Sequence, residues 1–469
     1  MSRQINVLDK SIDPKKIVFL LAWPAIVEQL LQTCVSYVDA AMVGSIGVNA
    51  AAAVAVSTTL FWLFIGIING FGVGYSVMVG KALGEGNLEK GREIIRQSVI
   101  LMLIVGAAIT VIMEVILAPN LAIWMGAEEN IHQDVENYIR IIGSVMIFEV
   151  FIIVAGAIIR CSGDTKTPMI YNLFNNIANI VFNFIFIYPS REIDIFGHSI
   201  KVFGFGMGVE GAAMGTALAA VISGSLMLMT LFKGNLNVKI SLRDRYKFDG
   251  NINREMLNLA IPVAFERVIH QSGQMVVTGL ATGLGNVAVA AHQLANTAES
   301  ICFMPTFGFS VASTTMVSQS VGAGDKDLAK TYARLSIKYG VIIMIFSATL
   351  MFIFAPQLMS LFIKDEDVIA LGALVLRIQA FGEIGLAIAN ISSGIFKGTG
   401  DTKWPFYIAM IGMWIVRIIP AIILIKIFHF GLAGIWIPMA LDWTVRAGIS
   451  LYRFKDNKWL NNIDNKETL

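Results

Sequence analysis

The stretch PAIVEQLLQTCVSYVDAAMVGSIG, residues Pro24 to Gly47, is apolar enough to cross a bilayer and yet contains a series of polar side chains. They follow one another at steps of four, four and three residues: Glu28, Gln32, Ser36 and Asp39. Steps of this size place side chains on one face of a helix. Because a charged group is costly inside lipid, we expect this face to meet a partner helix or a watery cavity.

The chain repeats this stretch 238 residues later, at residues 262–285, which read PVAFERVIHQSGQMVVTGLATGLG. Both copies begin with a proline that is followed four residues later by a glutamate. Two further segments recur in the same order: GEGNLEKGREIIRQS from Gly84 returns as GAGDKDLAKTYARLS from Gly322, and the motif GDTKxP stands in both halves. Matches at three places in one order indicate a duplicated chain.

The composition indicates that lipid surrounds most of the chain. Of its 469 residues, 56% are apolar and 14% are charged, which is too little charge to cover a soluble protein of this size. Since a bilayer core of about 30 Å needs roughly 20 apolar residues per helix, we predict twelve spans. They lie near 17–44, 55–80, 97–119, 138–159, 167–188, 208–232, 255–282, 295–320, 336–362, 370–394, 404–427 and 430–452.

We therefore expect an all-α membrane protein with twelve transmembrane helices in two pseudo-symmetric six-helix bundles. An N-terminal lobe takes residues 1–232, a polar and basic cytoplasmic linker takes 233–254, and a C-terminal lobe takes 255–469. Each half has an even number of spans, so both halves enter the membrane from the same side. Duplicates of that kind are related by an axis along the membrane normal.

The basic residues favour an orientation with both termini in the cytoplasm. In that orientation the N-terminal tail, the linker and the other inside loops hold most of the lysines and arginines. Only four basic residues stand in outside segments: Arg191, Lys201, Lys364 and Lys426. By the positive-inside rule, we expect a multi-pass protein of the inner (plasma) membrane with cytoplasmic termini.

Five motifs in register resemble those of the multidrug and toxic-compound extrusion (MATE) family, within the MOP flippase superfamily. They are VDAAMVGSIG at the end of the first span, GEGN, RCSGDTKTPM, GVEGAAMGTALA, and AHQ at residues 291–293. The resemblance implies a transporter, not an enzyme, that expels small cationic, amphipathic compounds in exchange for Na⁺ or H⁺ by alternating access. It implies no cofactor beyond that coupling ion, and we expect a monomer in the lipid bilayer.

The same resemblance implies an ion-coupling site in the N-terminal lobe, made of Asp39, Asn179, Asn183 and Thr216. Asp39 and the two asparagines are also a candidate Na⁺ site, because carboxylate and amide oxygens are hard ligands. A structural alternative stays open, since asparagines hydrogen-bond between membrane helices without any further role. Comparison of the two halves favours a functional role for Asp39 and the asparagines over a purely structural one. Val277 replaces Asp39 in the second copy, and apolar residues replace the asparagines.

We expect further polar residues to line the substrate cavity: Gln32, Ser36, Tyr37, Glu266, His270, Gln274 and Glu383. By the resemblance, Glu266 matches an acid of the seventh span. Leu386 stands where many members carry an acid in the tenth span, one turn after Glu383. Arg417 lies within a span and needs a partner or water, for which Glu383 or Glu266 are candidates. Glu299 in the eighth span is a further candidate for the cavity.

Other functional classes find little support in the residues. No Walker-type GxxxxGK[ST] motif is present, so ATP is not the direct energy source. A lipid-linked saccharide or lipid flippase of the same superfamily is the alternative function. Such a protein typically carries a cationic cavity to meet phosphates. The residues expected to line the cavity here carry carboxylates and side-chain amides instead. The three cysteines and five histidines show no metal spacing, and the net charge of +2 gives no sign of nucleic-acid binding.

Overall fold

The computed structural model describes residues 4–195, 198–233, 236 and 238–463, so both extreme termini lie outside the described residues. The helices of the N-terminal half are α1 (Pro14–Gly44), α2 (Val48–Gly84), α3 (Leu88–Trp124), α4 (Glu129–Ser144), α5 (Met146–Cys161), α6 (Lys166–Ile187) and α7 (Gly208–Lys233). Those of the C-terminal half are α8 (Gly250–Thr282), α9 (Asn286–Gly322), α10 (Lys326–Ile353), α11 (Ala355–Ser360), α12 (Glu366–Thr399), α13 (Lys403–Lys426) and α14 (Ala433–Lys455). A 3₁₀ helix, Lys458–Ile463, follows.

The predicted spans all fall on these helices, and the prediction of an all-α membrane protein is confirmed. Among the described residues, nine helical runs are long and apolar enough to cross a membrane. The pair α4–α5, which is bent by 53°, makes a tenth if it is counted as one span. Helices α8 and α14 are not among these ten, and both carry charged residues in mid-helix, for example Glu266 and Asp442.

A β-hairpin between α6 and α7 departs from the expectation of helices joined by loops. Strand β1 (Pro189–Ile195) pairs antiparallel with β2 (His198–Phe205). At its base, the guanidinium carbon of Arg191 lies 3.9 Å from the ring centre of Tyr188. The Tyr188 hydroxyl in turn lies 2.7 Å from Ser45 Oγ. These contacts connect the hairpin to the residues that follow α1.

Helix α1 begins at a clear cap and continues through its proline. Asp13 Oδ1 accepts a hydrogen bond from the Lys15 backbone N–H at 2.9 Å. Pro14 occupies the first helical position, where the missing N–H costs nothing. Pro24 lies inside the helix and removes one backbone hydrogen bond. Because the helix nevertheless runs on to Gly44, the polar residues of the opening stretch share one continuous helix.

The chain divides by its internal contacts into two compact units. Unit 1 contains Leu31–Ser76 and Leu88–Arg254, whereas unit 2 contains Ile5–Leu30, Val77–Asn87 and the chain from Glu255 onward. Helices α1 and α2 therefore each contribute to both units. The lobe boundaries expected from the sequence stay a prediction, and residues 234, 235 and 237 of the expected linker lie outside the described residues.

A buried polar cluster in unit 1 holds the end of the expected linker. Gln97 Nε2 donates to the Lys247 carbonyl at 2.6 Å, and Gln97 Oε1 accepts from Asn253 Nδ2 at 3.1 Å. The Tyr75 hydroxyl donates to Asn253 Oδ1. Since a buried polar group that loses its partner costs about 1–3 kcal/mol, these bonds fix the start of α8 within unit 1.

In unit 2, the duplicated glycines Gly84 and Gly322 lie at one helix crossing. A Cβ atom on Gly84 would overlap the Gln319 carbonyl of α9, and one on Gly322 would overlap the Lys81 carbonyl of α2. Each glycine therefore allows the other helix's backbone to approach. This mutual contact is a physical reason for both copies of the repeat to keep glycine here.

Candidate functional site

Four of the residues that the sequence singled out come together in unit 1, on three helices. Asp39 comes from α1, Asn179 and Asn183 come from α6, and Thr216 comes from α7. Asn183 Nδ2 donates to Asp39 Oδ1 at 3.0 Å. Asn179 and Asn183 are buried, and Asp39 and Thr216 are half-buried. The arrangement is a carboxyl group held by amides at the edge of a helix bundle.

The side-chain amide of Asn179 suits Asp39 in either of two orientations. With its nitrogen toward Asp39, the amide donates to Oδ1 at 2.7 Å and to Oδ2 at 3.2 Å, and its oxygen accepts from Thr216 Oγ1. With the amide reversed, Asn179 Nδ2 donates to Thr216 Oγ1 at 3.0 Å and its oxygen faces the carboxyl group. An ionised carboxylate only accepts hydrogen bonds, so the first orientation fits ionised Asp39. The second orientation fits a protonated Asp39, whose O–H can donate to Asn179 Oδ1, or a cation bound between Asn179 Oδ1 and the Asp39 carboxylate.

Gly215 allows α7 to approach this group closely. A Cβ atom at this position would overlap both the side-chain oxygen and the backbone nitrogen of Asn183. Only hydrogen fits between the two helices here, so the position of Asn183 depends on a glycine in the neighbouring helix.

We expect Gly215→Ala to separate α7 from α6 and to break the bond between Asn183 and Asp39. Because a displacement of about 1 Å in a positioned site can cost on the order of 100-fold in rate, the transport that the family resemblance implies is expected to fall at least tenfold. The measurement is initial transport rate per amount of folded protein. Gly44→Ala is the matched control, since a Cβ atom at Gly44 meets nothing within 4 Å. Equal rates in the two variants would contradict this reading.

The remaining polar residues of α1 lie in different surroundings. Gln32 and Ser36 are exposed, Tyr37 is half-buried, and Ser36 Oγ donates to the Gln32 carbonyl within the helix at 3.0 Å. Glu28 is buried and belongs to unit 2. The polar face that the sequence predicted for α1 is therefore divided between the units. Glu28 lies in unit 2, and Gln32, Ser36 and Asp39 lie in unit 1.

In unit 2, Glu266 is already neutralised. Lys397 Nζ lies 2.8 Å from Glu266 Oε2, and Ser393 Oγ donates to Glu266 Oε1 at 3.3 Å. This partner of Glu266 was not predicted from the sequence. Gln274, two helical turns further along α8 on the same face, accepts from Arg417 Nη1 at 3.5 Å. His270, between Glu266 and Gln274 on this face, is half-buried.

The partner of Arg417 is Asp442, and the expected pairing with Glu383 or Glu266 is wrong. Arg417 Nε donates to Asp442 Oδ2 at 2.9 Å, and Arg446 Nη2 reaches the same oxygen at 2.8 Å. The three side chains are buried. Two arginines thus share one carboxylate. The four-residue spacing of Asp442 and Arg446 on α14 was a signal that sequence reasoning could have used.

Two further acids of unit 2 meet at one glutamine. Gln379 Nε2 donates to Glu299 Oε1 at 2.8 Å and reaches Glu383 Oε1 at 3.5 Å, and all three side chains are buried. Two ionised carboxylates so close together in a buried site repel each other, so the geometry favours one proton shared between them. Within the described part of the chain, no group of three or more His, Cys, Asp or Glu side chains that could hold a metal ion is found.

Comparison with known proteins gives matches along nearly the whole chain. A family model described as MatE matches residues 24–185 and again residues 262–423, which correspond to the two copies of the repeat. The chain is 28% identical to the "Probable multidrug resistance protein NorM" of Thermotoga maritima, over 97% of this chain and 95% of that protein. It is 27% identical to the "Uncharacterized transporter YisQ" of Bacillus subtilis, over 97% of each.

A solved structure has the same fold. It is described as the "outward-facing conformation of a multidrug resistance MATE family transporter of the MOP superfamily". It superimposes with a TM-score of 0.90 over 99% of this chain and 100% of that one, at 23% sequence identity. At this identity the likeness concerns the path of the backbone, and the side chains have to be judged from this chain itself.

Proposed function

The chain belongs to the MATE family of membrane transporters, and on that premise we propose that it is a secondary active exporter of cationic, amphipathic compounds. The observation that carries the proposal is the cluster of Asp39, Asn179, Asn183 and Thr216 on α1, α6 and α7. A carboxyl group inside a membrane protein is costly to maintain and marks an ion or proton pathway. The names of the curated relatives support multidrug substrates.

The cluster suits an ion-coupled cycle because its amides adapt to the state of Asp39. Asn183 donates to the carboxylate, while Asn179 has either its nitrogen or its oxygen available to it. An ion or proton that binds Asp39 therefore finds a partner oxygen without rebuilding the helices. We propose inward-moving Na⁺ or H⁺ as the driving ion, exchanged for the substrate.

Alternating access is supported by the repeat and by the helices that contribute to both units. Two similar halves that face a common path are the usual basis for alternating access in transporters. Helix α1 carries Asp39 in unit 1 and Glu28 in unit 2. We propose that ion binding at Asp39 acts on this helix and so couples to opening and closing. The protein would act as a monomer in the inner membrane, with cytoplasmic termini.

The buried pair of Glu299 and Glu383 is a second candidate for proton binding. Both carboxyl groups contact the Gln379 amide, so gain or loss of a shared proton changes the charge of this cluster by one unit.

The flippase alternative is less well supported, because a cavity that receives lipid phosphates needs an excess of cations. Here the exposed and half-buried face of α1 presents Asp39, Gln32 and Ser36.

Dye transport in proteoliposomes with imposed gradients tests the proposed function. One preparation has a Na⁺ gradient at equal pH, and the other has a pH gradient without Na⁺. We expect export of rhodamine 123, a lipophilic monocation, against its gradient in at least one of them, and the responding gradient identifies the ion. The absence of dye movement with either gradient, in vesicles shown to contain folded protein, would contradict the proposal.

A further inference from the structure

A further acid, Glu149, lies in α5 of unit 1, near the middle of the predicted span 138–159. It is half-buried, and within the described residues its carboxyl group has no hydrogen-bond or ion-pair partner. It does not belong to the Asp39 cluster, whose members lie on α1, α6 and α7. An acid without a counter-ion at this depth is costly, and such residues mark ion or proton pathways in membrane proteins.

The backbone is irregular on both sides of Glu149. Before it, α4 and α5 meet at a bend of 53° between Ser144 and Met146. After it, residues Phe151–Ala155 form a π-helical segment. Broken spans and π segments are both frequent at binding sites. Of residues 145–150, which lie between the two irregularities, only Glu149 is charged.

Glycines on two neighbouring helices fix α5 just before Glu149. A Cβ atom on Gly106 of α3 would overlap Ile147, and one on Gly224 of α7 would overlap the Phe148 carbonyl. Both helices therefore approach α5 closely at these residues. Because successive side chains are about 100° apart around a helix, Glu149 is turned away from α3 and α7 toward a third neighbour.

That third neighbour is α2, and it leaves room for a small ion only. A Cβ atom at Gly72 of α2 would lie 3.5 Å from Ala157 Cβ and 3.6 Å from Ile153 Cγ2, which is ordinary van der Waals contact. Glu149 precedes Ile153 by one helical turn and so lies on this face of α5. None of the side chains of residues 145–161 is exposed, so protein encloses this half of the span. An aromatic cargo does not fit between helices that pack this closely.

The helices around Glu149 provide no fixed counter-ion at its depth. The charged residues of α2, α3 and α7 stand nearer the ends of these helices: Lys81, Glu89, Lys90, Arg92, Glu93, Arg96, Glu114, Glu210 and Lys233. The hydroxyl of Tyr75, the remaining titratable group of the three helices, donates to Asn253. A proton neutralises a lone carboxylate without further ligands, whereas a hard metal cation needs several oxygens. The surroundings of Glu149 therefore favour H⁺.

The second copy of the repeat shows that the fold does not need an acid at this position. Gly163 aligns with Gly400 in the GDTKxP motifs, an offset of 237 residues that pairs Glu149 with Leu386. Leu386 is 2% exposed and lies in an apolar cluster. The equivalent helix thus accepts a leucine here. Glu149 is peculiar to the first half, as Asp39 is, and this asymmetry favours a functional role over a structural one.

We propose that Glu149 is a proton-binding site of unit 1, distinct from the Asp39 cluster, and that it takes up and releases a proton in each transport cycle. The proposal rests on the proposed export function and adds a second titrating group to it. On uptake, a carboxylate oxygen of Glu149 forms an O–H bond and the side chain becomes neutral. On release, water accepts the proton. The adjacent bend and π segment are the irregular backbone through which α5 can adjust to this change of charge.

Infrared difference spectroscopy of the purified, full-length protein in lipid tests proton binding directly. Spectra at high and low pH are compared for the wild-type protein, Glu149→Gln and Glu114→Gln. Glu114 is the matched control, because it also lies in a π-helical segment of unit 1 but is paired with Arg140 at 3.4 Å. We expect acidification to produce a carboxyl C=O band that Glu149→Gln lacks and Glu114→Gln retains. Identical pH-dependent spectra of the wild-type protein and Glu149→Gln would overturn the proposal.

Export of rhodamine 123 from proteoliposomes relates this proton to the transport cycle. Under the gradient that drives the wild-type protein, we expect Glu149→Gln to export the dye at least about tenfold more slowly, which corresponds to about 1.4 kcal/mol. Glutamine cannot take up the proton, so one step of the cycle is lost. Glu149→Leu, which has the residue of the second copy, should behave alike and guards against misfolding of the first variant. Glu114→Gln should keep the wild-type rate.

The two proposals fail in distinguishable ways. If the wild-type protein exports the dye and both Glu149 variants export it equally fast, the export function stands and the role of Glu149 is wrong. If the wild-type protein exports no dye with either gradient but the infrared band of Glu149 responds to pH, the proton site stands and the export function is wrong.

Discussion

Replacing Asp39 by asparagine is expected to abolish ion-coupled export while the protein stays folded in the membrane. Asparagine has the same shape and keeps an oxygen to accept the bond from Asn183, which is 3.0 Å long in the wild-type protein. It cannot take up a proton, and it brings no charge to bind Na⁺. Drug resistance of an efflux-deficient host should therefore fall to the level of cells without the transporter.

The measurement combines dye efflux with the amount of transporter in the membrane, so that loss of function is separated from loss of protein. Unchanged efflux by Asp39→Asn would rule out the coupling site in unit 1. Glu266→Gln is made in parallel, because Glu266 is the acid that both halves keep in the repeat. Retained export in that variant places coupling in the first half alone, whereas a parallel loss indicates that both halves take part.

The grouping of Asp39 with Asn179, Asn183 and Thr216 was implied by the family resemblance, and local helical spacing supported only part of it. Four-residue steps on α6 put Asn179 and Asn183 on one helical face, and the comparison of repeat copies marked the same residues as peculiar to the first half. What the sequence did not contain was the position of the Asn179 amide between Asp39 and Thr216, and the role of Gly215. Both depend on how α6 and α7 approach each other, which periodicity does not report.

The partners in unit 2 were harder to predict, and Arg417 shows why. It lies in a π-helical segment, Ile411–Ile418, of α13. A π segment has a wider turn than an α-helix, so residues beyond it face a direction that α-helical spacing does not give. Spacing within α13 therefore could not show which helix Arg417 faces, although the four-residue spacing of Asp442 and Arg446 on α14 marked that pair as buried and ionic. The ion pair of Glu266 with Lys397 was missed for a different reason: the predicted span ended at residue 394, whereas α12 extends to Thr399 and so includes Lys397.

The two ends of α1 belong to different units. Its polar residues were expected to lie on one helical face, and they do share one helix. In the structure Glu28 packs in unit 2, while Asp39 contacts α6 in unit 1. The repeat had already separated them, because Glu28 has a counterpart in Glu266 and Asp39 has none. The duplicated acid thus belongs to the shared architecture and the unique acid to the candidate ion site.

Replacing Asp442 by asparagine is expected to cause the largest loss of stability. The carboxylate is fully buried, and it receives hydrogen bonds from both Arg417 and Arg446. Without it, two arginines stay buried with no counter-ion between them, and breaking a buried pair in this way costs about 3–5 kcal/mol. The protein should lose its sharp thermal transition in detergent, or melt at a clearly lower temperature.

Glu136→Gln is the matched control for this variant. Glu136 pairs with Arg140 at 2.7 Å across one helical turn, as Asp442 does with Arg446, but the two side chains are 33% and 45% exposed. Because water and salt screen such a pair, its loss should cost about 0–1 kcal/mol. Similar melting temperatures for the two variants would show that the Asp442 cluster is not the buried ionic core that its geometry indicates. Adding Arg417→Gln to Asp442→Asn removes one of the stranded charges, so the double variant should melt above the Asp442→Asn single variant if unpaired charge is the cause.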